Sequence, residues 1–467
     1  MSGALRCSPA TARAMDESGA AVVLIGGYDG SGNFGDIALL DAAVALVERL
    51  GALPVPVVET VHAAFHKTLR PELEHILVYD PDAEPDGELP DVAAVYLYGG
   101  GYLNAWWGAR QLAKARLALE AAPEAACVSS GLQAEPGWVE ALGAADRELL
   151  ARFAPFGVRD PLSAEALAPL GPAEMTGDDA VAVLPEPSGV EKQARVNVHV
   201  VEHGWVTDDA QAPAQRFLTV LDELEDQPVI QPLVAYLDPV TNEQPVAAQF
   251  AATCRERGFE VAETIVLRPE TLPEAAPLIE SAALTLSCSF HVALTSLLLG
   301  VPTELWSANR YYEQKAAGLD ADFADGRDGA RARRARAEAS LTARLAAATT
   351  ARERERLRHH AARTGVLRAE LAQLRAELQD HERQATGPWI PADARKQVDH
   401  ALEAAAAARA AREDEAARRR AAEARIAELE STIESLQRQL EVVYGSRSWK
   451  LTAPLRATRP GRRGSTL

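Results

Sequence analysis

The chain has 467 residues, a formal net charge of −19 at pH 7, 47% hydrophobic residues and 25% charged residues. These proportions are those of a folded globular protein and exclude a disordered or collagen-like chain. The negative charge argues against a nucleic-acid partner, which would need clustered Lys and Arg, and the length predicts two or three domains.

The charge is unevenly divided. Residues 321–467 hold 29 Lys+Arg and 21 Asp+Glu, which leaves 19 basic and 46 acidic residues in 1–320. Two parts with different jobs are implied. Cys7, Cys127, Cys254 and Cys288 stand far apart with no CxxC pair. Neither a zinc site nor a disulfide framework is signalled, so reduced thiols, no metal and a cytoplasmic location are expected. No apolar run reaches the ~18 residues of a membrane span. No uninterrupted apolar stretch precedes Asp16, so residues 1–19 are expected to be a disordered leader and not a secretion signal.

In chain order, Ala21–Ile25 is a β-branched run ending in glycines, and a helix is predicted from Asp36 to Leu50. Strands follow at Pro54–Val58, Ala93–Leu97, Ala125–Val128 and Pro155–Val158. A second series comprises Val196–Val201, Val229–Tyr236, Glu260–Leu267, Leu284–Cys288 and Thr303–Trp306. Strands alternating with helices predict an α/β protein with parallel sheets covered on both faces. The Pro/Gly-rich segment Leu184–Gly189 reads as a hinge between an N-terminal domain, 20–188, and a C-terminal domain, 189–320. Two such domains leave a cleft at the carboxyl ends of their strands, where ligands of these sheets bind.

After Ala321 the composition shifts to Ala, Arg, Glu, Leu and Gln, all helix formers. A helical segment is expected over 321–386, a break over 387–394 around Gly387-Pro388-Trp389-Ile390-Pro391, and a coiled-coil helix over 395–444. Ile426, Leu429, Ile433, Leu436, Leu440 and Val443 form a heptad seam. A single helix laid on the globular part fits the same pattern. The basic tail 445–467 carries Arg447, Lys450, Arg456, Arg459, Arg462 and Arg463 around Trp449. It suits either an anionic membrane surface or solvent.

Five segments could carry chemistry. Gly26–Asp36 places glycines and Asn33, Gly35 and Asp36 between strand and helix, where free N–H groups suit anions or hydroxyls. A structural turn with Asp36 as helix cap fits equally. Gly99-Gly100-Gly101, followed by Asn104, implies close approach of a ligand or of the facing domain. Arg159 in Val158–Ser163 could grip a carboxylate or phosphate, or pair with Asp160 or another acid. Asp178 and Asp179 read as turn caps before metal ligands. In Ser287–His291 a buried strand ends in small polar residues, and His291 opens a helix. An imidazole there could transfer protons, although a lone histidine is more often structural. Arg310 and Lys315 could add positive charge to the same cleft.

Taken in order, these segments resemble the polysaccharide pyruvyl transferase family over about residues 22–320. The family's Asn-x-Gly-Asp turn is matched by Asn33, Gly35 and Asp36, and its Gly-rich strand end by Gly99 to Gly101. Its Arg-Asp-x-x-Ser motif is matched by Arg159, Asp160 and Ser163, with Leu170-Gly171 after it. Its late Ser-x-Arg-x-His, Gly-Val-Pro and Lys are matched by Ser287, Ser289, His291, Gly300-Val301-Pro302 and Lys315. Two positions depart from the pattern: the family Arg is Ser289, and a Gly-Gln-Gly-type loop reads Ser129-Ser130-Gly131-Leu132-Gln133. The C-terminal Ser446–Arg456 segment is similar to tails of bacterial cell-surface glycosyltransferases.

The resemblance implies two Rossmann-like domains facing each other, similar to GT-B glycosyltransferases. It implies transfer of a pyruvyl group from phosphoenolpyruvate, a co-substrate, to two sugar hydroxyls as a ketal in cell-surface polysaccharide biosynthesis. His291 would be the proton donor. Arg159, Ser289, Arg310 and Lys315 would face the donor. Asn33, Gly35, Asp36, Gly99, Gly100, Gly101 and Asn104 would face the acceptor, with Trp106 and Trp107 either stacking on it or lying in the core. Ser289 leaves open a related transferase with a nucleotide-sugar donor, or a non-catalytic glycan-binding scaffold.

The seam predicts a homodimer through 395–444, whose basic tail could rest on the inner face of a membrane or stay in solvent. Light scattering should give a dimer for the full chain and a monomer after removal of 395–467. A monomeric full chain would refute the seam.

Overall fold

The computed structural model describes residues 3–84, 89, 92–202, 211–224, 227–307, 309–352 and 373. The predicted break, coiled coil and basic tail lie outside the described residues. One compact unit takes in residues up to Arg363.

The β-branched runs become strands because both of their faces are covered. Ala21–Ile25 is buried at every residue, as is Val92–Leu97. Among the described residues they belong to a six-stranded sheet in the order Ala4–Cys7, Leu77–Asp80, Leu53–Glu59, Ala21–Ile25, Val92–Leu97, Ala126–Ser129. All neighbours are parallel except the first pair. A short parallel sheet follows in the order Ala173–Met175, Phe156–Val158, Leu132–Ala134, Gly100–Leu103. A five-stranded parallel sheet has the order Ile265–Val266, Val229–Val234, Arg195–His199, Leu284–Ser287, Thr303–Leu305. The α/β class with parallel sheets is therefore as the alternating pattern predicted.

Strand order reverses once in each large sheet. The chain runs outward from Ala21–Ile25 to Leu53–Glu59, then returns to the other side as Val92–Leu97. It does the same from Arg195–His199 to Val229–Val234 and back to Leu284–Ser287. Such reversal splays successive loops apart at the carboxyl ends of the strands and opens a crevice there.

Two expectations are corrected. The leader is not disordered: Ala4–Cys7 pairs antiparallel with Leu77–Asp80, and helix Pro9–Ser18 follows. Ser8 caps that helix by accepting from the Thr11 N–H, and Met15 on its inner face is fully buried. The short strand shows no period-2 run, so its pairing was invisible in sequence. Nor does the globular part end at residue 320. Residues 326–352 are helical, and Leu341 and Leu345 join the core that contains Leu319. Arg331 donates to the Pro185 carbonyl at 2.8 Å and Arg344 to the Pro155 carbonyl at 3.1 Å.

Leu345 is 0% exposed. Leu345→Ala should cost about 2–5 kcal/mol of stability, the range for emptying a packed leucine site. Denaturant unfolding measures it, and a loss below about 1 kcal/mol would show that this helix is not part of the core.

Candidate functional site

The loops at the two reversal points meet. Gly27 to Asp36 and Gly101 come from the first half, Ala235, Tyr236 and Cys288 to His291 from the second, and together they wall a cavity of about 530 Å³. Arg159, Tyr311, Tyr312 and Lys315 complete its lining.

Asn33 caps helix Phe34–Arg49, its side chain accepting from the Gly35 and Asp36 N–H groups at 3.0 and 3.4 Å. Asp36 is therefore not the cap, and its carboxyl is released to the cavity. The helix start is tied to the other half of the molecule, because the Phe34 N–H donates to the Ala235 carbonyl at 2.7 Å. A Cβ at Gly35 would lie 1.9 Å from His291 Nδ1, so only glycine admits the imidazole there.

The acid in this site is Asp178. It accepts from Arg159 Nη1 at 2.9 Å through Oδ2, and its Oδ1 lies 3.6 Å from His291 Nε2. It also caps a short helical turn by accepting from the Ala180 N–H. Burial alone would raise this carboxyl, but the imidazole and the guanidinium outweigh it and hold Asp178 well below the usual carboxylate range. Arg159 also donates to Gln133 Oε1 and lies 4.1 Å over the Phe290 ring. Asp160, read as a possible partner of Arg159, instead caps helix Pro161–Leu167 by accepting from the Ser163 N–H at 2.8 Å.

Burial lowers the His291 pKa, with Arg159 and Lys315 adding to the fall and Asp178 opposing it. Lys315 is pulled down to about 7 by burial and by Arg159. Asp36 is pushed up to about 7 by burial and by Asp29, although Lys315 and Arg159 oppose the rise. A cleft in which Asp36 and Lys315 titrate near neutrality beside His291 suits proton transfer and anion binding together.

Lys315 lies 4.3 Å over Tyr311 and 4.6 Å over Tyr312. Tyr311 donates to the Gly101 carbonyl at 2.7 Å, and a Cβ at Gly101 would stand 2.5 Å from that hydroxyl. Trp106, 54% exposed, meets Tyr311 edge-on at 5.6 Å between centroids.

Of the residues read from sequence, Asn33, Asp36, Gly101, Arg159, Ser289, His291 and Lys315 line one cavity. Gly35 sits directly behind His291. Gly99, Gly100 and Asn104 build the turn beneath the cavity. The Gly99 N–H donates to Asp179, Gly100 adopts φ 137°, and Asn104 accepts from the Trp106 and Trp107 N–H groups. Arg310 is a correction: it is exposed at the first turn of helix Arg310–Asp322 and lies outside the cavity lining. Ser289 caps helix Phe290–Leu298, with its side chain accepting from the Val292 N–H. Asp178 in its pairing role and Tyr311 were not anticipated. Among the described residues no cluster of three or more His, Cys, Asp or Glu could hold a metal. None of their helices is long and apolar enough to cross a membrane.

The fold and site thus define an α/β protein with a cavity at the carboxyl ends of its parallel strands. The polysaccharide pyruvyl transferase profile matches residues 33–303, and the chain belongs to that family of transferases. No curated protein matches the sequence significantly. Among solved structures, UDP-GlcNAc 2-epimerase from Neisseria meningitidis bound to UDP-GlcNAc is similar, with 12% identity and a TM-score of 0.41, over 64% of this chain and 85% of that one. S. aureus MnaA with UDP shares 10% identity and a TM-score of 0.41, over 70% and 90%. Anabaena Alr3699/HepE in complex with UDP and glucose shares 15% identity and a TM-score of 0.37, over 73% and 99%.

The raised Asp36 pKa has a consequence for stability. Between about 4, the unfolded value, and about 7, the folded state holds a proton that the unfolded chain has released. This group's contribution is therefore present below about pH 4 and is lost as pH rises to about 7. Asp36→Asn should flatten the fall in melting temperature across that window. An unchanged pH profile would refute the assignment.

Proposed function

We propose that this chain transfers a pyruvyl group from phosphoenolpyruvate to two hydroxyls of a sugar, forming a cyclic ketal. The observation that carries the reading is the convergence of Arg159, Lys315 and His291 on one cavity between the two halves. The donor carries a carboxylate and a phosphate. Lys315 would bind them by charge-assisted hydrogen bonds, and Arg159 would add its positive charge at close range. The donor's negative charge beside the imidazole and ammonium would favour their protonated forms, offsetting the burial that lowers both.

His291 would then protonate the methylene carbon of the donor as a sugar oxygen attacks the neighbouring carbon. Attack by the second hydroxyl forms the other carbon–oxygen bond, and the carbon–oxygen bond to phosphate breaks. Two hydroxyl protons are released in exchange for the one taken up at carbon. One of them restores His291 and the other leaves with phosphate or solvent. Asp36, with its pKa near 7, would receive a hydroxyl proton on its way to solvent. Trp106 and Trp107 line the same cavity and would offer an aromatic face to the sugar ring. Glycan assembly at the inner face of a membrane would be the setting, with the C-terminal seam joining two copies.

Ser289 favours a second reading, a related transferase whose donor is a nucleotide sugar, because the family cation is missing there. Phosphate release from phosphoenolpyruvate in the presence of a sugar acceptor decides between them. His291→Ala should reduce that release roughly 10²–10⁴-fold, the usual loss for a general acid, with the circular dichroism unchanged. Ser289→Arg should tighten donor binding in calorimetry. If neither the native chain nor Ser289→Arg binds phosphoenolpyruvate, the pyruvyl reading falls.

A further inference from the structure

Arg334 lies in the helical residues 326–352, beyond the stretch matched by the family profile, and is 2% exposed. Its Nη1 pairs with Asp179 Oδ1. Asp179 is itself fully buried and holds three further groups. It accepts from the Gly99 N–H at 2.8 Å, from Ser130 Oγ at 2.7 Å and from the Tyr96 hydroxyl at 3.5 Å. The adjacent residue is Asp178, whose carboxylate faces both Arg159 and His291. One turn of chain therefore connects a cation from the C-terminal helix, the Gly-rich strand end and the pair that faces the cavity.

We propose that Arg334 is a positioning residue for the site: by neutralising Asp179 it fixes the turn that presents Asp178 to Arg159 and His291. A buried carboxylate tolerates loss of its cation poorly. With Arg334 removed, Asp179 must take up a proton or move towards water. Either change releases the Gly99 N–H or drags Asp178 with it. Arg334 does not line the cavity, so its effect reaches the chemistry only through that turn. The helix that follows the family domain is in this way a working part of the site.

The charged groups facing His291 are Asp178, Arg159 and Lys315, and Asp178 is the one that raises its proton affinity. Displacing Asp178 should therefore lower the pH at which the imidazole titrates. The test compares the native full-length protein with Arg334→Met and Arg334→Lys. The measurements are the His291 ring titration by NMR, with kcat and KM for phosphoenolpyruvate. Arg334→Met should move the titration to lower pH by about one unit and reduce kcat about 10–100-fold with KM little changed. Arg334→Lys, which keeps the charge, should restore both. If Arg334→Met does not fold, Arg334→Gln, which keeps a donor for Asp179 without the charge, should show the same displacement. A lowered melting temperature with native titration and native kcat would overturn the proposal, as would failure of Arg334→Lys to restore them. The kcat measurement rests on the proposed reaction, and the titration does not. If the native protein releases no phosphate from phosphoenolpyruvate, that reading falls, and the titration alone still decides the role of Arg334.

Discussion

The Asp178 carboxylate, shared between Arg159 and His291 with no exposure to water, is the interaction on which the site depends. A charge buried this deeply is tolerated only where cations and hydrogen bonds meet it from several directions. Those partners come from distant parts of the chain: Arg159 follows strand Phe156–Val158, and His291 opens helix Phe290–Leu298 after strand Leu284–Ser287. Satisfying one carboxylate therefore fixes the short four-stranded sheet against the five-stranded sheet at their carboxyl ends. Cleft geometry and cleft electrostatics have the same origin.

Steric permission comes from glycine. His291 and Tyr311 reach the first half of the molecule only because Gly35 and Gly101 present bare backbone to them. The Phe34–Ala235 hydrogen bond then ties the helix start to the opposite sheet. Close contact excludes water, and exclusion of water is what shifts Asp36, Lys315 and His291 away from their ordinary titration ranges.

The parallel architecture was legible because Ala21–Ile25 and Val92–Leu97 are unbroken apolar runs, the mark of strands covered on both faces. Strands Gly100–Leu103, Leu132–Ala134 and Ala173–Met175 were not, because three or four residues carry no periodicity and their pairing is non-local. Asn33, Asp36, Arg159, His291 and Lys315 could be picked out because each stands at a strand–helix junction or just inside a helix. Arg310 was drawn in by closeness to Lys315 in sequence. Residues five apart point about 140° away from each other round a helix, so one faces solvent when the other faces the cleft. Asp178 could be seen as a cap but not as the partner of His291, since no spacing rule links a turn to a residue in another sheet. Arg334 sits among many arginines of a helix-forming stretch, and only its depth distinguishes it.

The strand Ala4–Cys7 has a bearing beyond the packing of Met15. A sheet built of parallel strands ends in a row of unpaired amides and carbonyls, a template on which a second chain could grow. Here Leu77–Asp80 would be that margin, and the antiparallel strand occupies it. The new margin is only four residues long and carries Arg6, paired with Asp80 at 3.4 Å. Shortness and charge are the features by which sheet proteins discourage edge-to-edge growth. The first residues of the chain thus cover the Leu77–Asp80 margin, and a chain lacking residues 3–19 would leave that margin unpaired.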